Sequence, residues 1–185
     1  MAAGGMELRS FIEVRAQGRR LEGLAATYGS EARIGGFVET IAPGAFRSTL
    51  GGDILALLDH DTGKVLGRTR SGTLRLSEDS RGLAFSLDLP DTQAGRDVEA
   101  LAARGDLGGM SFGFKVPAGG ERWDGEKRTL YQIDLREVSI VQAWPAYPDT
   151  EVALRSARDA WLALPTPRQI VRRRRLAIAE ASIWA

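Results

Sequence analysis

Short runs of alternating apolar and polar residues dominate this chain. From Glu7 to Val14, Leu8, Ser10, Ile12 and Val14 fall on one face and Glu7, Arg9, Phe11 and Glu13 on the other, which is the two-residue period of a strand. Leu21 to Tyr28 follows a turn at Gln17-Gly18, and Phe37 to Ile41 follows the break at Gly35-Gly36. Ala42 to Leu50 reads as a short helix entered through Pro43 and stopped by Gly51-Gly52. The apolar run Ile54 to Leu58 reads as a buried strand, with a turn expected at Thr62-Gly63. Lys64 to Arg68, Gly72 to Ser77 and Gly82 to Leu89 are further short strands; in the last, Leu83, Phe85, Leu87 and Leu89 alternate against Ala84, Ser86 and Asp88. Asp91 or Thr92 can cap a helix running to about Arg104, with Ala94, Val98, Leu101 and Ala102 on one face and Gly105 as its stop. Gly108 to Val116 and Thr129 to Val141 return to strand character.

Many short strands with two brief helices predict an α+β, mainly β fold: a closed or nearly closed β-barrel flanked by a few helices. Pro145, Pro148, Pro165 and Pro167 mark the way out of it, so residues 1–155 form the predicted domain and residues 156–185 a basic C-terminal helical arm, with Thr166 capping a helix at Pro167. Charge separates the two parts. From residue 155 onward seven arginines face Asp159 and Glu180, a net of +5, which leaves −4 for residues 1–154.

Composition narrows the chemistry. There is no cysteine, which excludes disulfides, thiolate nucleophiles and Cys-based zinc sites, and a single histidine excludes a His-rich metal centre. No apolar run approaches the roughly 18 residues a membrane span needs, and Met1 to Met6 lacks the apolar core of a signal peptide, so the protein is expected to stay in the cell that makes it.

The lone histidine, His60, follows the Ile54–Leu58 strand, and an unperturbed imidazole titrates at about pH 6.5, inside the range where a neutral-pH base must work. A nucleophile candidate is Ser111 in Gly108-Gly-Met-Ser-Phe-Gly-Phe114, where glycines permit close backbone approach. Gly109-Met-Ser-Phe-Gly113 matches the G-x-S-x-G elbow literally. The elbow, however, requires a helix after the serine and a histidine later in the chain, whereas here a strand follows and His60 precedes. The third candidate is Glu137: in a strand regular from Tyr131 it shares a face with Tyr131, Ile133 and Leu135, and a carboxylate continuing an apolar stripe needs a partner. A histidine would serve, with the carboxylate accepting the Nδ1 proton. Asp59 and Asp61 compete for that role, and Arg136 competes for Glu137.

Leu57-Leu-Asp-His-Asp61 with Leu66-Gly-Arg-Thr69, then Gly109-Met-Ser-Phe-Gly-Phe114, then Arg136-Glu-Val-Ser-Ile-Val141 with Pro145-Ala-Tyr-Pro148, resembles the prohead proteases of tailed bacteriophages over roughly residues 7 to 155. The resemblance implies a serine endopeptidase related to the herpesvirus assemblin-type capsid proteases, with His60, Ser111 and Glu137 as its catalytic residues and no cofactor. It implies a place inside the immature procapsid in the host cytoplasm, with the scaffold or the scaffold-like arm of the major capsid protein as substrate, self-cleavage and self-association. Trp144-Pro145 and Tyr147 stand where that family more often has smaller or polar residues. Oxyanion donors are expected from the N–H groups of Gly108 and Gly109 or from Arg68. The competing reading is a non-catalytic capsid or scaffold component that binds the particle interior, packaged nucleic acid included, through Arg172, Arg173, Arg174 and Arg175.

Overall fold

A computed structural model describes residues 7–11, 14–17 and 19–143. The expected boundary near residue 155, the basic arm and the Pro145–Pro148 segment lie outside the described residues.

In chain order the strands are β1 (Glu7–Phe11), β2 (Val14–Gln17), β3 (Arg20–Thr27), β4 (Ala32–Ile34), β5 (Phe37–Ile41), β6 (Leu55–Leu58), β7 (Asp61–Arg68), β8 (Leu74–Glu78) and β9 (Gly82–Asp88). Helix α1 (Gln93–Arg104) follows, then β10 (Gly109–Lys115), β11 (Glu121–Asp124), β12 (Lys127–Leu130) and β13 (Asp134–Val141). Hydrogen bonding sorts them into three sheets: β1-β10-β13-β6-β7, β11-β12-β5-β4 and β2-β3-β9-β8. The mainly β expectation stands; the closed barrel does not. A barrel needs an unbroken ladder, and among the described residues the ladder breaks at both corners. The predicted Glu7–Val14 strand is instead divided between β1 in the first sheet and β2 in the third. Between β7 and β8 a 3-10 turn at Thr69–Ser71 intervenes, and Thr73 bonds to the Arg68 and Asp88 amides in place of a β7–β8 ladder.

Local chemistry explains where elements begin and end. The Thr92 hydroxyl accepts the Gly95 N–H at 3.2 Å, and Gly105 closes α1 in a left-handed conformation, as its spacing predicts. Val98 on its inner face is fully buried. The helix expected from Pro43 to Leu50 is absent. Successive tight turns close instead, from Ala45 N–H to Ala42 O, Arg47 N–H to Gly44 O and Thr49 N–H to Phe46 O. Gly44 explains the difference, because its φ of +84° is incompatible with a right-handed helix.

That turn segment drops Phe46 into the core, edge-on to Phe112 at 5.7 Å, and Phe112 in turn stacks on Phe114 at 5.2 Å. All three phenylalanines are fully buried, each removing apolar surface worth on the order of 2–3 kcal/mol from water. A charged cluster ties the first sheet to the second. Arg9 on β1 holds Glu39 on β5 through two bonds of 2.5 and 2.8 Å, and Arg128 on β12 reaches Glu7, Glu39 and Glu121 at 2.6, 2.8 and 2.6 Å.

Candidate active site

Within the first sheet, Ala56, Leu58, Met110, Phe112, Phe114, Val138 and Ile140 face the apolar core. Their strand neighbours Leu57, Ser111, Gly113, Glu137 and Ser139 therefore face the other way. Register aligns them in rows across the sheet: Ser111 opposes Ser139, which opposes Leu57, and Gly113 opposes Glu137, which opposes Leu55. Ser111 and Glu137 are thus brought to one face of two adjacent strands.

Glu137 reaches that face by a route the sequence does not suggest. The strand begins at Asp134, not Tyr131; Tyr131 is half exposed, while Ile133 and Leu135 belong to the core. A β-bulge then places both Leu135 and Arg136 against Phe114, because the register steps from Gly113–Glu137 to Phe114–Leu135. The bulge moves Glu137 off the apolar stripe and onto the face shared with Ser139.

His60 is delivered by a two-residue hairpin. Leu58 pairs with Asp61, so Asp59 and His60 are the turn itself, not the predicted Thr62-Gly63. Both have positive φ, 50° and 60°, as a type I′ turn demands. Aspartate and histidine tolerate this conformation better than most residues, yet it remains a strained choice where glycine is usual. The turn is fastened to the end of β13, with Asp59 N–H donating to Ile140 O and Gln142 N–H donating to the Asp59 carboxylate, each at 2.9 Å.

His60 Nδ1–H donates to Glu137 Oε1 at 2.7 Å. The second oxygen, Oε2, accepts from Ser139 Oγ at 2.5 Å, and Ser139 Oγ accepts from the His60 amide at 3.3 Å. Backbone and ring of one residue are thereby joined in a closed circuit through Ser139 and Glu137. Because a carboxylate only accepts, the neutral ring carries its proton on Nδ1, which leaves Nε2 as the nitrogen able to take one. Glu137 is only 4% exposed, so its charge is held in place by these two donors. The Ser111 hydroxyl is buried in the row of Ser139 and has no hydrogen-bond partner among the described residues.

The rival carboxylates are occupied elsewhere. Asp59 caps Gln142; Asp61 accepts the Gly63 amide at 2.8 Å and pairs with Lys64 at 3.4 Å. Arg136 pairs with Asp134, not Glu137. Two of the expected oxyanion donors are likewise engaged. Gly108 N–H donates to Val141 O at 2.8 Å, in a contact so close that a Cβ there would sit 1.9 Å from Ala143 O. Arg68 forms a two-pronged pair with Asp53, and its guanidinium holds that carboxyl below the ordinary aspartate range. Ser139 is the site residue that sequence reading overlooked. Its signal was its position two residues after Glu137 in a strand, which puts both side chains on one face.

Comparison with known families then settles the chain's relationship. Residues 8–161 match the family model described as caudovirus prohead serine protease. The chain belongs to that family. No curated protein and no solved structure matches it. The family match supports a serine protease that acts in capsid maturation, and its span covers all the elements that build the His60–Glu137 circuit. Within this prohead protease, no helix among the described residues is long and apolar enough to cross a membrane.

Proposed function

We propose that Ser111, His60 and Glu137 are the catalytic triad of this prohead protease, and that its substrate is the scaffold or the scaffold-like arm of the major capsid protein, cleaved inside the immature procapsid in the host cytoplasm. Self-cleavage and self-association belong to the same reading. The observation that carries it is the His60–Glu137 hydrogen bond on the buried face where the Ser111 hydroxyl has no hydrogen-bond partner among the described residues.

The chemistry is acyl transfer. Ser111 Oγ bonds to the scissile carbonyl carbon as His60 Nε2 takes the hydroxyl proton, and Glu137 stabilises the imidazolium so formed. The tetrahedral adduct collapses by expelling the amine, which leaves with the proton from His60. Water repeats the sequence and releases the acid. No cofactor takes part. Residues 156–185 are rich in arginine, and their Arg172–Arg175 run is suited to acidic partners in the particle interior.

A fluorophosphonate probe tests the assignment. The purified protein should be labelled covalently, and Ser111→Ala should abolish labelling together with cleavage of the capsid precursor. Labelling or cleavage that survives in Ser111→Ala refutes the nucleophile, and a protein inert in both assays supports the non-catalytic capsid component instead.

A further inference from the structure

Glu137 holds His60 with one oxygen, and something must hold Glu137. We propose that Ser139 is a positioning residue for the protease reaction: it fixes the Glu137 carboxylate and, through it, the His60 ring. This rests on the triad proposed above.

A carboxylate on a strand has two free side-chain torsions before its terminal one, so a single bond to His60 leaves the carboxylate free to swing about that contact. The 2.5 Å bond from Ser139 Oγ to Oε2 removes that freedom. The same hydroxyl accepts the His60 amide, which stabilises a residue held at positive φ. Ser139 thus couples the backbone that aims the imidazole to the carboxylate that orients it. It is fully buried, so bulk solvent does not compete for either bond. Two neighbouring positions offer no substitute: Asp59 is spent on the Gln142 amide, and Gly113, across from Glu137 in the ladder, has no side chain. Ser139 itself is not placed to react, since its proton is already donated to a carboxylate that His60 shares.

The test is steady-state cleavage of a supplied peptide by Ser139→Ala, Ser139→Thr, Glu137→Ala and the Ser139→Ala/Glu137→Ala double variant. Losing a hydrogen bond to a buried charged group predicts a roughly 10- to 100-fold fall in kcat for Ser139→Ala with KM little changed. Threonine, which keeps the hydroxyl, should recover most of that loss. In the Glu137→Ala background, where there is no carboxylate to hold, removing Ser139 should cost much less than in the parent, only what its bond to the His60 amide contributes. Because the chain has one histidine, the low-field proton of a carboxylate-bound imidazole needs no assignment, and it should weaken or vanish in Ser139→Ala. Three results would overturn the proposal: Ser139→Ala within twofold of the parent, fully additive losses in the double variant, or a parent low-field signal unchanged on removing the hydroxyl. If cleavage instead persists in Ser111→Ala, the triad falls, and the imidazole signal still decides whether Ser139 holds Glu137 to His60.

Discussion

Replacing Glu137 by glutamine asks how much of the site depends on its charge and how much on its shape. In the Ser-His-Asp template, an amide in place of the acid commonly turns its N–H toward the ring, enforces the wrong tautomer and costs about 10⁴ in kcat. Here Ser139 changes the expectation. Its hydroxyl donates to Oε2 in the parent protein but can also accept, so a glutamine can point its N–H₂ at Ser139 and keep its oxygen on His60 Nδ1–H. What is lost is then the difference between a charge-assisted and a neutral hydrogen bond, about 1–2 kcal/mol. At 1.36 kcal/mol per tenfold, kcat should fall roughly 5- to 30-fold with KM nearly constant. The assay is initial-rate cleavage of a fluorogenic peptide by Glu137→Gln beside Ser111→Ala, Asp59→Asn and Asp61→Asn. A 10⁴-fold loss would show that the amide takes the wrong orientation and that Ser139 does not switch. Loss below twofold would remove the carboxylate from the mechanism, and Asp59→Asn or Asp61→Asn falling further than Glu137→Gln would move the orienting role to that aspartate.

Ser111→Ala and His60→Ala should each lower turnover on the order of 10⁴-fold while leaving the fold intact, because the remaining members of a triad do little alone; near-normal cleavage by either purified variant argues against the triad. The charged cluster between the first two sheets predicts an acid sensitivity. Burial would raise the Glu7 carboxyl, but the hydrogen bonds and charges of Arg128 and Arg9 outweigh it and hold the group below its ordinary value. A depressed folded-state pKa stabilises above the unfolded carboxylate range and loses that contribution as pH falls through the folded value. Glu7→Gln should therefore lower the thermal midpoint at neutral pH, with the gap to the parent closing below about pH 4. A gap that is constant with pH would mean that Glu7 contributes through packing alone.

What the sequence showed and what it hid divide along a physical line. Regular elements were legible because their period is local: β9 buries Leu83, Phe85 and Leu87 as its alternation requires, and α1 is bounded by Thr92 and Gly105. His60, Ser111 and Glu137 stood out as residue types able to share chemistry, one of them the only histidine. Irregular features were not legible. Nothing in Asp59-His60 announces a type I′ turn, which normally reads as Asn-Gly or Asp-Gly. The sheet corners that prevent barrel closure depend on which strands pair, a nonlocal property that residue period cannot fix. β4 and β11 went unread because three- and four-residue strands carry too few alternations.

A regular Asp134–Val141 strand would turn Glu137 into the core beside Leu135, and the bulge at Arg136 prevents it. One residue more than the partner strand requires puts Leu135 and Val138 on the core face and Glu137 and Ser139 on the other. Arg136 is that extra residue. Its side chain is half exposed and pairs with Asp134 beside it, an exposed contact of little worth. Deleting Arg136 should then join Leu135 directly to Glu137 in ordinary alternation, with Leu135 still opposite Phe114 and Glu137 still opposite Gly113. A single-residue deletion in a central strand normally turns every following side chain to the wrong face. This one should be tolerated, with the thermal midpoint reduced by the lost local twist and peptide cleavage within about tenfold of the parent. Deleting Val138 instead moves Ser139 and Ile140 to opposite faces and should abolish both fold and cleavage. If the Arg136 deletion is as damaging as the Val138 deletion, the bulge sets the position of Glu137 through strand geometry, not merely through which face it occupies.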